Sequence, residues 1–201
     1  MTRLLWIGML ASLASPPQAE AQDTTRTDSL PPVGLGRLLQ EDISVGIDDG
    51  TVQFRIMPLD ESIIRLLAPD SYASPHSLRE MRHAEIQQAA ERRGVTEPVV
   101  FLVAVFGLRD QAHFDPDQVV VASRNQLFRP IAILPITPLW NEHRVSQRET
   151  AGAVYVFENG LALWEPFTVE YAGARSDDWS RSLVLIERER ARIAQQRNAP
   201  R

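Results

Sequence analysis

The chain has 201 residues and no cysteine, and its 21 basic residues, all arginine, stand against 26 acidic ones, for a formal net charge of −5. The absence of cysteine excludes disulfide scaffolds, cysteine-ligated metal centres and thiol enzymes. A hydrophobic fraction of 44% with 23% charged residues is typical of a globular domain. The acidic balance argues against nucleic acid as a partner, because phosphate binding draws on surplus basic residues.

Residues 1–21 have the pattern of a secretory signal peptide. Arg3 supplies an early positive charge, and residues 4–14 are uncharged and apolar. An Ala-x-Ala site at 19–21 predicts cleavage before Gln22. The apolar run is about half the ~20 residues that span a bilayer, so a retained membrane anchor is the less favoured alternative. We therefore expect an exported protein, periplasmic or secreted, and without cysteine it has no site for an N-terminal lipid.

The mature chain is expected to begin with a flexible lead-in over residues 22–34, followed by one domain over 35–175. Alternating apolar residues on either side of Asp49-Gly50 predict a β-hairpin with a type I′ turn. The apolar run at 99–106 predicts a central strand covered on both faces. Further strands are predicted at 119–122, 127–134, 154–158, 161–164 and 167–171, with a second hairpin turn at Asn159-Gly160 and prolines that place the 127–134 strand at an edge.

Two helices are predicted as an insertion at 59–94, between the second and third strands. The first spans 59–68, and the second runs from about His76 to Arg93 and ends at Gly94. A third, amphipathic helix is predicted at 176–197. The fold class is therefore α+β and mainly β: an antiparallel β-sandwich or small barrel with a two-helix insertion and a C-terminal helix.

Several of the predicted strands also carry a resemblance to a known family. They are the apolar strand at 99–106, the entry Leu127-Phe128-Arg129-Pro130, and the closing segments 154–157 and 167–171. In these segments the chain resembles the immunoglobulin-like sandwiches of exported bacterial proteins. The resemblance implies a sandwich fold and an exported location, and it transfers no functional residue.

The sequence around His113 contains a candidate metal site. His113, Asp115 and Asp117 lie in a predicted loop, and imidazole and carboxylate groups are ligands for divalent ions. His143 would join them if the fold brought the two loops together. The alternative is a polar connecting loop in which Asp115 and Asp117 cap turns. No nucleophile elbow or phosphate loop is present, and there is no lysine for Schiff-base chemistry, so we expect a non-enzymatic protein without a cofactor.

Aromatic residues cluster late in the chain. Trp140 and Trp164 lie beside prolines in predicted loops, so we expect both to be exposed and able to stack on a sugar ring or a protein partner. Tyr155 and Phe157 alternate onto one face of a strand and are predicted to lie in the core.

The predicted C-terminal helix is the main candidate for binding a partner. Its apolar side comprises Trp179, Leu183, Ile186 and Ile193, and Arg188 and Arg192 lie opposite. Such a helix can dock on a protein partner, associate with a second copy or lie on an anionic membrane surface. The alternative is that it packs on its own domain. The sequence thus favours an interaction module or an accessory subunit of an envelope assembly. The competing hypothesis is a small metal-binding protein or metal-dependent hydrolase that uses His113, Asp115, Asp117 and His143.

Overall fold

The computed structural model describes residues 30–198, which form an α+β fold of three antiparallel sheets and four α-helices. The predicted α+β class is therefore confirmed. The predicted signal peptide (1–21) and the first part of the predicted lead-in lie outside the described residues. Within 30–198, no helix is long and apolar enough to cross a membrane.

Strands and helices follow one another in an irregular order along the described chain. The strands are β1 (Val45–Asp48), β2 (Val52–Pro58), β3 (Val99–Gly107), β4 (Ala112–His113), β5 (Val120–Ser123), β6 (Gln126–Phe128), β7 (Pro130–Pro135), β8 (Arg144–Val145), β9 (Thr150–Phe157), β10 (Thr168–Tyr171) and β11 (Ala174–Ser176). The helices are α1 (Glu61–Ile64), α2 (Pro69–Met81), α3 (His83–Glu91) and α4 (Trp179–Asn198). The larger sheet has the order β1-β2-β3-β9-β7, the smaller has the order β11-β10-β5-β6, and β4 pairs with β8.

Strand β3 lies at the centre of the larger sheet, as its apolar sequence predicts. It pairs antiparallel with β2 on one side and β9 on the other. Phe101, Val103 and Val105 are fully buried, whereas Leu102 and Phe106 on the opposite face are only partly covered. The central position is confirmed, and complete burial holds for one face of the strand only.

One bent stretch of chain connects the two larger sheets. Only Arg129 separates β6 from β7, so this stretch pairs first with β5 in the smaller sheet and then with β9 in the larger one. The predicted strand 127–134 is thus divided, and its second part is an edge strand, as its prolines predict. Elsewhere, the ring of Phe54 on β2 packs on Tyr171 of β10 with 4.4 Å between centroids. The two sheets therefore contribute to one core.

The hairpin of β1 and β2 is confirmed, but its turn differs from the predicted one. A type I′ turn needs two consecutive residues with positive φ, and here Gly50 has a φ of +83° while Asp49 does not have a positive φ. The Asp49 carboxylate instead accepts hydrogen bonds from the backbone N–H groups of Thr51 and Val52 at 2.8 and 2.9 Å. Consecutive positive φ angles occur in the two-residue turns at Arg124-Asn125 and Ala172-Gly173.

The prediction of a second hairpin around Asn159-Gly160 is wrong. Strand β9 ends at Phe157 and has β3 paired along one edge and β7 along the other. No edge of β9 is left for residues 161–164, which form an irregular segment after the turn. Leu161 and Leu163 of this 161–164 segment are buried, so it is held by packing and not by strand pairing.

The helical insertion is confirmed, with different boundaries. The first predicted helix shortens to α1, but its apolar face is fully buried and consists of Leu59, Ile63, Leu66 and Leu67. The second begins earlier, at Pro69, and breaks into α2 and α3 at Arg82, whose φ and ψ are −96° and 3°. Arg82 donates a hydrogen bond of 2.6 Å to the carbonyl of Pro135 in β7. This contact ties the insertion to the larger sheet, and Gly94, with a φ of +69°, follows α3 as predicted.

Helix α4 begins at Trp179 and not at the predicted Ser176. Ser176 belongs to β11 and pairs with Val169 of β10, so the strand takes the residue at which the helix was predicted to begin. Glu189 is also buried, and its carboxylate lies 2.6 Å from Nη2 of Arg192. These hydrogen bonds lower the pKa of Glu189. Arg192 in turn donates a hydrogen bond of 2.5 Å to the carbonyl of Leu35, so the helix is fastened to the domain through its polar side as well as its apolar side.

Candidate functional site

The fold brings the His113 and His143 loops together, as the metal hypothesis requires. Strand β4 pairs with β8, so His113 lies opposite Arg144, and the backbone N–H of Phe114 donates to the carbonyl of His143 at 3.0 Å. However, among residues 30–198 no group of three or more His, Asp or Glu side chains is arranged to hold a metal ion. The main chains meet here without the side chains converging on a common point.

Asp115 has the structural role that the alternative assigned to it. Its carboxylate accepts hydrogen bonds of 3.0 Å from the backbone N–H of Asp117 and from the Gln118 side chain. The loop is also anchored to the core, because the buried Tyr155 hydroxyl donates to the carbonyl of Pro116 at 2.8 Å. Burial raises the pKa of Tyr155. The loop that contains Asp115 and Asp117 is thus a capped connection between strands.

Trp140 is buried, so its predicted exposure is wrong. Only 1% of the residue is accessible to solvent. Its indole ring packs edge-on against Phe114 and Tyr155, with centroid distances of 5.1 and 5.9 Å. The 3₁₀ turn Pro138–Glu142 carries Trp140, and the ring covers this aromatic cluster. Trp140 is therefore a core residue and does not face a ligand. Tyr155 and Phe157 are also buried, as predicted.

Trp164 is 37% exposed, in agreement with its prediction. The guanidinium group of Arg190 on α4 lies over its ring, 4.9 Å from the centroid. The main chain beside the ring is anchored, because the neighbouring Leu163 is buried and its carbonyl accepts a hydrogen bond of 3.0 Å from Nε1 of Trp179. A partly exposed aromatic side chain on an anchored segment can contact a ligand with little loss of conformational entropy.

Trp164 lies at a cleft with a volume of about 770 Å³. The cleft is bounded by the helical insertion, the start of β3, the 161–164 segment and α4, and Leu30 and Pro31 lie along its wall. Its lining combines apolar groups with charged ones. A volume in this range is typical of ligand sites, which are mostly apolar, whereas about half of the residues that line this cleft are polar or charged.

The acidic side chains Asp60 and Glu61 of this cleft already have partners within the chain. Asp60 caps α1, where its carboxylate accepts from the backbone N–H of Ser62 at 2.9 Å. Glu61 lies 2.7 Å from Nε of Arg65 and 2.7 Å from Nδ1 of His76. Burial by itself would raise the pKa of Glu61, but the hydrogen bonds from Arg65 and His76 outweigh it, and the pKa is lowered. These carboxylates hold the wall of the cleft in place.

The two arginines that line the cleft have fewer polar partners within the chain than its acidic side chains have. Arg79 donates one hydrogen bond to the carbonyl of Leu59, and Arg190 stacks on Trp164. Among the described residues, neither arginine forms an ion pair with a carboxylate. Their remaining N–H groups are therefore available to an anionic group in the cleft.

The apolar face of α4 is not available to a partner in this structure. Trp179, Leu183, Ile186 and Ile193 are at most 7% exposed and belong to the chain's own core. Trp179 stacks on Phe167 with 4.8 Å between centroids. On the polar side, Arg192 pairs with Glu189 and donates to the carbonyl of Leu35, and Arg188 is exposed. The alternative in which this helix packs on its own domain is the one that holds for its apolar face.

No family model, curated protein or solved structure matches this chain. The candidate site therefore rests on its own geometry. The position of Trp164 beside a proline predicted its exposure. No pattern in the sequence indicated Arg79, Arg190 or the hydrogen bonds that Glu61 forms with Arg65 and His76. Those residues come from segments far apart in the chain, and no local spacing connects them.

Proposed function

We propose that this protein is an exported, non-enzymatic interaction module that binds an extended segment of a partner protein in the cleft beside Trp164. The observation that carries the proposal is the exposure of Trp164 at this cleft, since the other tryptophans and the tyrosines within residues 30–198 are buried. Tryptophan and arginine are enriched among the residues that dominate binding energy at protein interfaces. Trp164 and Arg190 are such a pair.

The wall of the cleft supports a polypeptide as the ligand. Leu30 and Pro31 line it in a stretch without regular secondary structure, and Pro31 is buried there. This surface thus already packs against irregular main chain. A sugar ring is the less favoured ligand, because Arg190 covers one face of the Trp164 indole and leaves only the other for stacking.

Export and the finer architecture form part of the same proposal. The signal-peptide pattern at 1–21 supports export to the periplasm or the outside, where the protein would serve an envelope assembly. The contacts between the two larger sheets, and the strand that bends from one into the other at Arg129, support an immunoglobulin-like or related β-sandwich, since strands that switch sheets form the corners of some sandwiches. Cell fractionation of the chain with and without residues 1–21 tests export.

Selection from a library of displayed peptides tests the binding function. We expect the protein to enrich a family of peptides, and Trp164→Ala to weaken their binding at least about tenfold, as for a central interface residue. Val184→Ala is the matched control, because Val184 is 53% exposed on α4 and does not line the cleft. Peptides that bind Trp164→Ala as well as the unchanged protein would contradict the proposal.

A further inference from the structure

We infer that the cleft beside Trp164 selects a partner segment that carries a carboxylate group, which pairs with Arg190 and Arg79. The inference rests on the proposed peptide-binding function and names the chemistry that the cleft recognises. The carboxylate belongs to an aspartate or glutamate side chain or to the free end of the partner chain. The recognition would be charge-assisted and, at Arg190, bidentate.

The acidic and basic side chains that line the cleft differ in how they are paired. The acidic groups that line it are each engaged: Asp60 at the start of α1, Glu61 with Arg65 and His76, and Glu97 in an interaction of its own. Arg79 and Arg190 make no ion pair within the described part of the chain. Asp60 keeps its negative charge, since its donor is neutral, but among the charged groups that line the cleft the two arginines are the ones that retain N–H donors for a ligand.

Arg190 is placed so that it can bind a carboxylate. Its guanidinium lies over the Trp164 ring, 4.9 Å from the centroid. A contact with the face of an aromatic ring uses no carboxylate or carbonyl acceptor, so the N–H donors of the guanidinium remain free to bind a carboxylate. The aromatic ring also restricts the orientation of the side chain, so less entropy is lost when the carboxylate binds. Arg190 is thus preorganised for a planar anion.

Arg79 lines the same cleft as Arg190. One N–H of its guanidinium donates to the carbonyl of Leu59, which holds the side chain against the start of α1. Many exposed arginines of this protein also lack an ion pair, but Arg79 and Arg190 share a concave wall with an exposed tryptophan. A concave wall removes part of the surrounding water, so it strengthens the attraction between a carboxylate and these two cations relative to an open surface.

The test compares acidic peptides with their neutral counterparts. Each peptide enriched by selection is synthesised with its Asp or Glu residues and, for comparison, with Asn or Gln in their place. Each is also made with a free and with an amidated C-terminus. Their affinities are measured by calorimetry at low and high salt. We expect neutralisation of one carboxylate to weaken binding at least about tenfold, and high salt to reduce that difference. Arg190→Gln should weaken the acidic peptide by a similar factor and weaken the neutral peptide much less.

Matched variants separate recognition from structure. Arg188→Gln, one helical turn away from Arg192 on the exposed side of α4 and outside the cleft, should leave binding of the acidic peptide unchanged. Arg190→Lys keeps the charge but loses the planar fork, so we expect an intermediate affinity. Arg79→Gln should weaken the acidic peptide less than Arg190→Gln, because part of the Arg79 guanidinium is already bonded to Leu59.

The outcomes distinguish this inference from the proposed function. Peptides that need Trp164 but bind equally well with and without their carboxylate would overturn the inference and support the proposed function. The absence of any enriched peptide would overturn the proposed function itself. Binding of an oligosaccharide rich in uronic acid, without binding of any acidic peptide, would also contradict the protein-partner proposal.

Discussion

The surroundings of Trp140 and Trp164 show how differently two parts of this protein use the same side chain. Trp140 is 1% exposed and packs within a cluster of aromatic rings between the sheets and the β4–β8 pair. Trp164 is 37% exposed at a cleft, with a guanidinium on one face. The first region has apolar contacts on all sides, whereas the second combines one aromatic ring with several charged groups.

The comparison shows that the burial of a tryptophan in this protein depends on which distant segments of the chain pack over it. The β4–β8 pair brings the Trp140 turn onto Phe114, so the ring is covered. The 161–164 segment has no free strand edge to join; Leu161 and Leu163 are buried by packing, but Trp164 remains partly exposed. We therefore assign stability to the Trp140 region and binding to the Trp164 region.

The largest expected effect is the loss of stability on removal of the buried ring. Trp140→Ala should lower the free energy of unfolding by about 3–5 kcal/mol, as for other buried aromatic side chains replaced by alanine. Trp164→Ala should lower it by less than about 1 kcal/mol. Denaturant unfolding of both variants measures the difference, and equal losses would remove the distinction between the two regions.

The anchor beneath the cleft should show a smaller effect. Trp179→Phe keeps a ring to stack on Phe167 but leaves the carbonyl of Leu163 without its hydrogen bond, at a cost of about 1–2 kcal/mol. Because Leu163 precedes Trp164, we also expect weaker binding of selected peptides. Unfolding and peptide titration measure the two effects, and a destabilised variant with full affinity would show that this anchor does not position Trp164.

The wall of the cleft should respond to pH, whereas the apolar Trp140 cluster should not. The pKa of Glu61 is lowered below its ordinary value of 4.5, so its stabilising contribution is present above that pH and is lost as the pH falls through the lowered pKa. Relative to Glu61→Gln, the unchanged protein should be more stable by about 1 kcal/mol at pH 6, an advantage that declines below pH ~4.5. Denaturant unfolding across this range measures it, and a constant difference would contradict the network.

The smallest effect on stability is expected from Trp164→Phe, within about 0.5 kcal/mol. Its value is spectroscopic: in the chain without residues 1–21, which contain Trp6, Trp164 should account for the fluorescence that acrylamide quenches readily. The substitution should remove that component, and Trp140→Phe should leave it in place. A quenched fraction that survives Trp164→Phe would show that another tryptophan is exposed.

The sequence predicted those elements that depend on local patterns. Alternating apolar residues predicted the β1–β2 hairpin, and a run of apolar residues predicted the central position of β3. The regular spacing of the apolar residues in α4 predicted which side of that helix is buried. Each of these patterns lies in neighbouring residues, and in these three elements no pairing with a distant segment competes with it.

Other predictions failed where distant parts of the chain decide the outcome. The Asn159-Gly160 turn has the composition of a hairpin, but β3 and β7 already occupy both edges of β9. Trp140 has the local setting of an exposed residue, but β4 and β8 cover it. The cleft itself could not be predicted, because Arg79, Trp164 and Arg190 meet only through the packing of the insertion, the 161–164 segment and α4.

The central claim is that the protein binds its partner at Trp164, and NMR tests it most directly. A selected acidic peptide is titrated into the ¹⁵N-labelled protein, and the indole N–H signals are assigned through Trp164→Phe, Trp140→Phe and Trp179→Phe. We predict that the Trp164 signal and the side-chain signals of Arg190 shift with the peptide concentration while the Trp140 signal stays in place. A Trp164 signal that does not move while other resonances shift would show that the partner binds elsewhere.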